Sequence, residues 1–375
     1  MKVQQISLSL HTWKDDLSHI SIEPDLFLLF ISPEFKERQD VLDTLRQKFP
    51  EATITGCSTA GEISGINVKD RTVSLTAIKL EKVSHEQTHV KVDNMKFSYK
   101  AGRELGRALK KEDLRHVLVF SDGLNINGAD LVSGLQSKLR DVSITGGLAA
   151  DGPNFSSTFV INNDGIDSNC IVGIGFYGDA LKVGYSSKGG WDSFGIERLV
   201  TKSHKNVLYE LDGLPALTVY KSFLGEEAKN LPSSALLFPL CMRNNESDKP
   251  LVRTVLSVDE EKQSMTFAGN IHQGSYVRLM KANIDRLING AGNSAKIAQE
   301  IIKESADLAI LISCVGRRLV LKQLIEEEVE AVRDIIGDKP EITGFYSYGE
   351  IAPNGEFSPC ELHNQTMTIT TLTEC

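Results

Sequence analysis

Cys57 and Ser58 stand side by side in the stretch Ile54-Thr55-Gly56-Cys57-Ser58-Thr59-Ala60-Gly61-Glu62-Ile63. Either side chain is of the kind that attacks a carbonyl, provided that a base is held within reach. No histidine stands in a recognisable relation to them. The small residues from Cys57 to Gly61 would also let a ligand approach backbone N–H groups closely, with Glu62 supplying one negative charge. The frame recurs as Ile342-Thr343-Gly344-Phe345-Tyr346-Ser347-Tyr348-Gly349-Glu350-Ile351. A partial copy, Ile144-Thr145-Gly146-Gly147-Leu148-Ala149-Ala150-Asp151-Gly152, lies between them. The copies drop the thiol and keep the turn. They favour a scaffold that shapes a pocket, with Cys57 as a small wall residue. A hydrolase or transferase using Cys57 or Ser58 is the alternative from another class. A third reading is that the glycines serve tight turns and Glu62 caps a helix or pairs with an arginine.

Three β-α-β units carry these turns. Asp25–Ser32, His116–Ser121 and Asp307–Ser313 are short apolar runs that read as buried strands. Each precedes a helix with apolar positions: Val41, Leu42, Leu45 and Phe49; Leu131, Val132, Leu135 and Leu139; Leu324, Ile325, Val329, Val332, Ile335 and Ile336. Ser32-Pro33-Glu34 reads as the first helix start. A strand then leads into each I-T-G turn. Taking Ser32, Ser121 and Ser313 as equivalent strand ends, the next Ile of the motif follows at Ile54, Ile144 and Ile342.

Right-handed crossovers bring the Ser-ended and I-T-G-ended strands to one sheet edge, where open α/β sheets bind ligands. The candidate ligand-binding set is Cys57, Ser58, Thr59, Gly61, Glu62, Ser121, Asp122, Gly147, Asp151, Arg317, Tyr346, Ser347 and Glu350. Arg317 and Arg318 follow a Ser-Cys-x-Gly turn, where an arginine would fork a carboxylate, and Glu62 or Glu350 would take an ammonium group. That suits a zwitterion such as an amino acid; an internal Arg–Glu pair is the competing reading.

The fold class is α/β with mixed α+β regions: repeated β-α-β units ending in I-T-G turns, in two modules with an antiparallel β-rich middle. The modules are expected at 20–215 and 216–375. In the middle, Ser157–Asn162, Ile171–Tyr177 and Leu181–Ser187 read as a meander. Ile196–Lys202 and Asn206–Leu211 read as strand or helix. Gly290 and Gly292 predict a break in the long helix that follows.

The formal net charge of −9 disfavours nucleic acid and anionic membranes as partners. No apolar run has the length of a membrane span, and Met1–Ile6 opens no signal peptide. Six scattered cysteines without a C-x-x-C pair fit reduced thiols in a cytoplasm. The eight histidines form no metal-ligand set, so no metal is expected, although His204 or His272 could singly ligate haem iron.

The pieces Gly56–Ile63, Ser121-Asp122-Gly123, Gly146–Asp151, Ser313–Arg317, Gly344–Ile351 and Asn364-Gln365-Thr366, in that order, resemble the FIST sensory domain family. The resemblance covers both its N-terminal and C-terminal modules, from about residue 20 onward. It implies a non-enzymatic, cytoplasmic signal-input protein for a small ligand such as an amino acid. It also implies a separate signalling partner, such as a histidine kinase or a cyclic-di-nucleotide enzyme, because the two modules take up the chain. Some family members bind haem and sense nitric oxide, so a haem-based sensor regulating a histidine kinase is a further alternative.

Overall fold

A computed structural model describes residues 1–231, 233–245, 250–353, 355 and 358–375. The chain is mixed α/β. It builds three units of six strands each. Unit one holds β1 (Lys2–Ser9), β2 (Leu26–Ile31), β3 (Thr53–Ser58), β4 (Glu62–Ser64), β5 (Asn67–Lys69) and β6 (Thr72–Lys79). Unit two holds β7 (Ser84–Lys91), β8 (Leu114–Ser121), β9 (Ser143–Leu148), β10 (Val160–Asn162), β11 (Gly165–Asp167) and β12 (Cys170–Tyr177). Unit three begins with β13 (Leu181–Lys188). An inserted sheet of β14 (Asp192–His204), β15 (Val207–Leu211), β16 (Leu214–Pro215), β17 (Leu240–Arg243), β18 (Leu251–Arg253), β19 (Val255–Asp259), β20 (Ser264–Phe267) and β21 (Tyr276–Lys281) follows. Unit three resumes with β22 (Leu308–Cys314), β23 (Glu341–Ser347), β24 (Gly349–Pro353), β25 (Cys360–His363) and β26 (Met367–Glu374).

The units exchange strands in a cycle. The three six-stranded sheets run β1-β6-β2-β3-β10-β11, β7-β12-β8-β9-β24-β25 and β13-β26-β22-β23-β4-β5. In each, the central pair is parallel, as β-α-β units require, and the other pairs are antiparallel. The two strands after each I-T-G turn leave their own unit and extend the sheet of another. The result is a pseudo-threefold arrangement closed on itself.

Apolar side chains from all three sheets meet at the centre. Phe30 lies 5.4 Å from Phe120 and 4.7 Å from Phe345, and Phe120 lies 6.0 Å from Phe345, between ring centroids. Each such buried ring contributes roughly 1.5–3 kcal/mol. Helices cover the outer faces: α1 (Trp13–Ser18) and α2 (Arg38–Lys48) on unit one, then α3 (Ser98–Leu109) and α4 (Gly128–Gln136) on unit two. After α5 (Ala216–Leu224) in the insert, α6 (Ile284–Ile302), α7 (Val315–Leu321) and α8 (Ile325–Ile336) belong to unit three. Apolar contact on both faces explains why β2, β8 and β22 read as unbroken apolar runs.

Several local expectations are corrected. The supposed meander does not exist beyond the β10–β11 hairpin. β12 is the unit-two counterpart of β6 and β26, and β13 pairs with β26 far along the chain. β14 and β15 are strands, paired to each other. The helix of the first β-α-β unit, α2, starts at Arg38, because the chain turns after Ser32 to bury Phe35. α6 runs unbroken through Gly290 and Gly292. A Cβ on Gly290 would lie 2.0 Å from the Gly189 carbonyl oxygen, so that glycine allows close packing instead of breaking the helix. Pro215 closes β16 and Ala216 opens α5, both within the inserted region.

Candidate functional site at the three turns

Each I-T-G glycine answers to one steric demand. Gly56, Gly146 and Gly344 have φ of +152°, +153° and +156°. A Cβ there would lie 1.8 Å from the carbonyl oxygens of Leu29, Val119 and Leu311 on the parallel neighbour. The same register aligns Ile31 with Ser121 and Ser313, and Ser32 with Asp122 and Cys314. The equivalence of Ser32 with Ser121 and Ser313 is therefore wrong by one residue.

Beyond the glycines the turns interlock. Ala60 N–H donates to the Tyr346 carbonyl at 2.8 Å, Tyr348 N–H to Leu148 at 3.2 Å, and Ala150 N–H to Ser58 at 2.9 Å. Each bond joins the fourth residue after one motif glycine to the second after another. All three turns do converge on one end of the molecule.

Most of the predicted side chains are consumed there by internal partners. Cys57 is fully buried in the central core, and burial pushes its thiol well above the ordinary range. Ser58 Oγ accepts from Phe159 N–H at 3.1 Å. Glu62 accepts from the Thr59 hydroxyl, and from Thr72 N–H at 3.1 Å and its hydroxyl at 2.8 Å. Glu350 repeats this with Ser347 Oγ at 2.8 Å, Thr366 N–H at 3.1 Å and the Thr366 hydroxyl at 2.8 Å. Burial pushes both carboxyls up to about 7 against these donors. Ser121 donates to the Asp122 carbonyl at 3.0 Å, and the Asp122 carboxylate accepts the N–H groups of Leu124, Asn125 and Asn169. Gly147 lies against Ile312 and Phe345 in the core. Tyr346 donates to Glu328 at 2.6 Å. Arg317 is wholly buried and forms the internal pair read as the alternative: Glu328 lies at 2.6 Å, and the guanidinium also donates to Gly189 and Leu287 carbonyls at 2.8 Å.

Three predicted residues, Thr59, Gly61 and Asp151, line an open cleft of ≈ 540 Å³ at the first turn. Its other walls are Ser32–Glu34, Asp70, Arg71, Gly152–Asn154 and Arg318. Arg318 reaches in from α7 because Gly61 has no side chain; a Cβ there would lie 2.5 Å from its Nη1. The guanidinium donates to the Ala60 carbonyl and to both Asp70 oxygens, at 2.8 and 2.6 Å, over the Tyr346 ring. Against partial burial, Asp70 holds the Arg318 pKa above its ordinary value. Asp151 accepts from Ser156 and Ser157 N–H groups at 2.8 Å and from the Tyr348 hydroxyl. Against burial, these donors hold its carboxyl below the ordinary range, so it stays ionised. Of the two adjacent arginines the sequence offered, the candidate set took Arg317, and the cleft is lined by Arg318 instead; sequence reasoning missed Asp70 and Arg71. Gly61 marks the gap that Arg318 fills.

The equivalent edges of units two and three are covered by the insert. Asn206, Leu256, Phe267 and Ala268 wall a remnant of ≈ 90 Å³ at the second turn. Asn127 there donates to Asn270 at 3.0 Å. At the third, Gln365 donates to the Leu236 carbonyl at 3.3 Å, and Trp191 donates to the Gln365 carbonyl at 2.9 Å. Arg71, Asn169 and Gln365 hold the same left-handed position before β6, β12 and β26, with φ of 59°, 52° and 63°.

Among the described residues, no group of three or more His, Cys, Asp or Glu is arranged to hold a metal ion. Neither the first-turn cleft nor the remnant at the second has a histidine in its wall, so neither offers haem an axial imidazole. His272 instead bonds to Asn244 at 3.1 Å. Among the described residues no helix is long and apolar enough to cross a membrane.

Family models describe this chain in two parts. Residues 25–214 match the FIST N domain and residues 216–353 match the FIST C domain. An uncharacterized protein of Methanocaldococcus jannaschii is 27% identical over 331 residues, which are 82% of this chain and 63% of that relative's length. The crystal structure of a cyanuric acid hydrolase from A. caulinodans aligns over 100% of this chain and 98% of its own, at 10% identity and a TM-score of 0.39. A likeness that low supports no statement about chemistry.

Proposed function

Because the chain belongs to the FIST family, a non-enzymatic sensory family of signal transduction, we propose that it is a signal-input protein whose ligand is a small polar metabolite. The ligand binds in the first-turn cleft. The observation that carries this is the asymmetry of three equivalent edges: two lie under the insert and its flanking residues, and the first stays open at ≈ 540 Å³. An amino acid or a related zwitterion fits its chemistry. The ligand carboxylate displaces Asp70 from Arg318, and the ammonium group meets ionised Asp151. Asp70 is exposed, so it gives way at little cost.

The signal leaves through the segment after Asp151. Phe155 stacks on Tyr348 at 4.4 Å and 8°, and Tyr348 donates to Asp151. Ligand contact with Asp151 therefore bears directly on Phe155, which a separate signalling protein reads. Six free cysteines suit a reducing cytoplasm.

The test is a thermal-shift screen of amino acids and related metabolites, followed by calorimetry. At least one compound stabilises the wild type, and Arg318→Gln and Asp151→Asn each remove that shift. A flat response to the whole panel, or a shift that survives both substitutions, overturns the reading.

A further inference from the structure

Helix α3 is cationic on a chain whose formal net charge is −9. Between Met95 and Lys111, Lys96, Lys100, Arg103, Arg107, Lys110 and Lys111 stand against one acid, Glu104. Its buried side is Ala101, Gly102, Leu105, Gly106 and Leu109, so the charges lie outward. Lys100 pairs with Glu104 and Lys111 with Glu86; among the described residues no carboxylate pairs with Arg103, Arg107 or Lys110. Arg103 and Arg107 are four apart, a like-charge spacing that destabilises an isolated helix. Tyr99 is 43% exposed beside them.

Helix α8, in the corresponding layer of unit three, has the opposite character. Glu326, Glu327, Glu328, Glu330 and Asp334 stand against Arg333. Glu328 is buried on Arg317; Glu327, Glu330 and Asp334 face outward, and Ile335 is 39% exposed. Glu330 and Asp334 repeat the four-residue like-charge spacing. The positive end of the helix dipole favours the acids of the first turn but not Asp334 near the other end. Each helix thus carries a local repulsion that the other would relieve.

We infer that the α3 face of one copy docks on the α8 face of a second copy, head to tail. The two faces differ, so the contact is heterologous and adds copies one after another. Tyr99 and Ile335 supply apolar contact between the charged rows. A helix face of about 18 Å makes a small interface, so the association is weak and sensitive to salt. An anionic membrane or nucleic acid fits the cationic face less well, because an extended polyanion also meets the acidic remainder of the chain.

Sedimentation velocity on the full chain tests this. Self-association rises with protein concentration at low salt and weakens about tenfold or more at high salt. R103E/R107E and E330K/D334K each abolish it, while circular dichroism and thermal unfolding remain as in the wild type. An equimolar mixture of the two variants associates again, because each now offers what the other lacks. A wild type that stays monomeric at low salt, reversals without effect, or a mixture that fails to associate overturns the inference. So does a monomer that binds phosphatidylserine vesicles through Arg103 and Arg107.

Discussion

Glu62 and Glu350 are equivalent residues of two units, and each ties its turn to the start of a distant strand through the same three donors. Glu62 holds Thr59 and Thr72; Glu350 holds Ser347 and Thr366. Unit two has Val160 at the matching place in its exchanged strand, opposite Cys57, so the third corner is apolar.

That pair makes stability depend on pH. Burial raises both carboxyls from 4.5 to about 7 in the folded chain. Between those values the folded state holds protons that the unfolded state has released. Stability therefore falls as pH rises through the window, by up to about 3 kcal/mol per site. Urea unfolding at pH 5 and pH 8 checks this. Glu62→Gln with Glu350→Gln is expected to flatten the dependence, since glutamine keeps an acceptor for the N–H groups and adds a donor for the hydroxyls. An unchanged slope in the double variant refutes it.

Arg317 and Glu328 are expected to behave as one structural unit. Removing either partner leaves a buried charge, together with stranded Ser313 and Tyr346 hydroxyls or Gly189 and Leu287 carbonyls. Arg317→Ala and Glu328→Ala should each cost about 3–5 kcal/mol. The double variant should cost clearly less than their sum. Chemical denaturation of the full cycle measures both. Additive costs would show that the pair is not coupled.

The three motif glycines should be among the least replaceable residues of the fold, because each combines a positive φ with a carbonyl oxygen in the way. Gly56→Ala, Gly146→Ala and Gly344→Ala each drive a methyl into a carbonyl oxygen at 1.8 Å, and each is expected to cost more than about 4 kcal/mol or to abolish folding. Gly152 also has positive φ, at 71°, but no atom lies within 4 Å of its added Cβ. Gly152→Ala should cost only about 1 kcal/mol. Yields of folded protein and melting temperatures compare the four variants; equal effects would contradict the steric account.

The sequence by itself determined the β-α-β units, the I-T-G turns and their meeting at one end. Apolar runs, helix faces and obligatory glycines are local signals, written in neighbouring residues. Only tertiary structure decided the cyclic exchange of strands. β4 has three residues, too few to show a period, and its partner β23 lies hundreds of positions away. It also decided which members of the repeated set face solvent. Arg317 and Arg318 are neighbours of one chemical type; the helical turn at α7 sends the first into the core onto Glu328 and the second through the gap at Gly61 into the cleft. Likewise nothing local tells that the insert covers two edges and leaves the first open, because burial at those edges comes from Asn206, Leu236, Leu256, Phe267 and Ala268 of the insert, and not from the turns themselves.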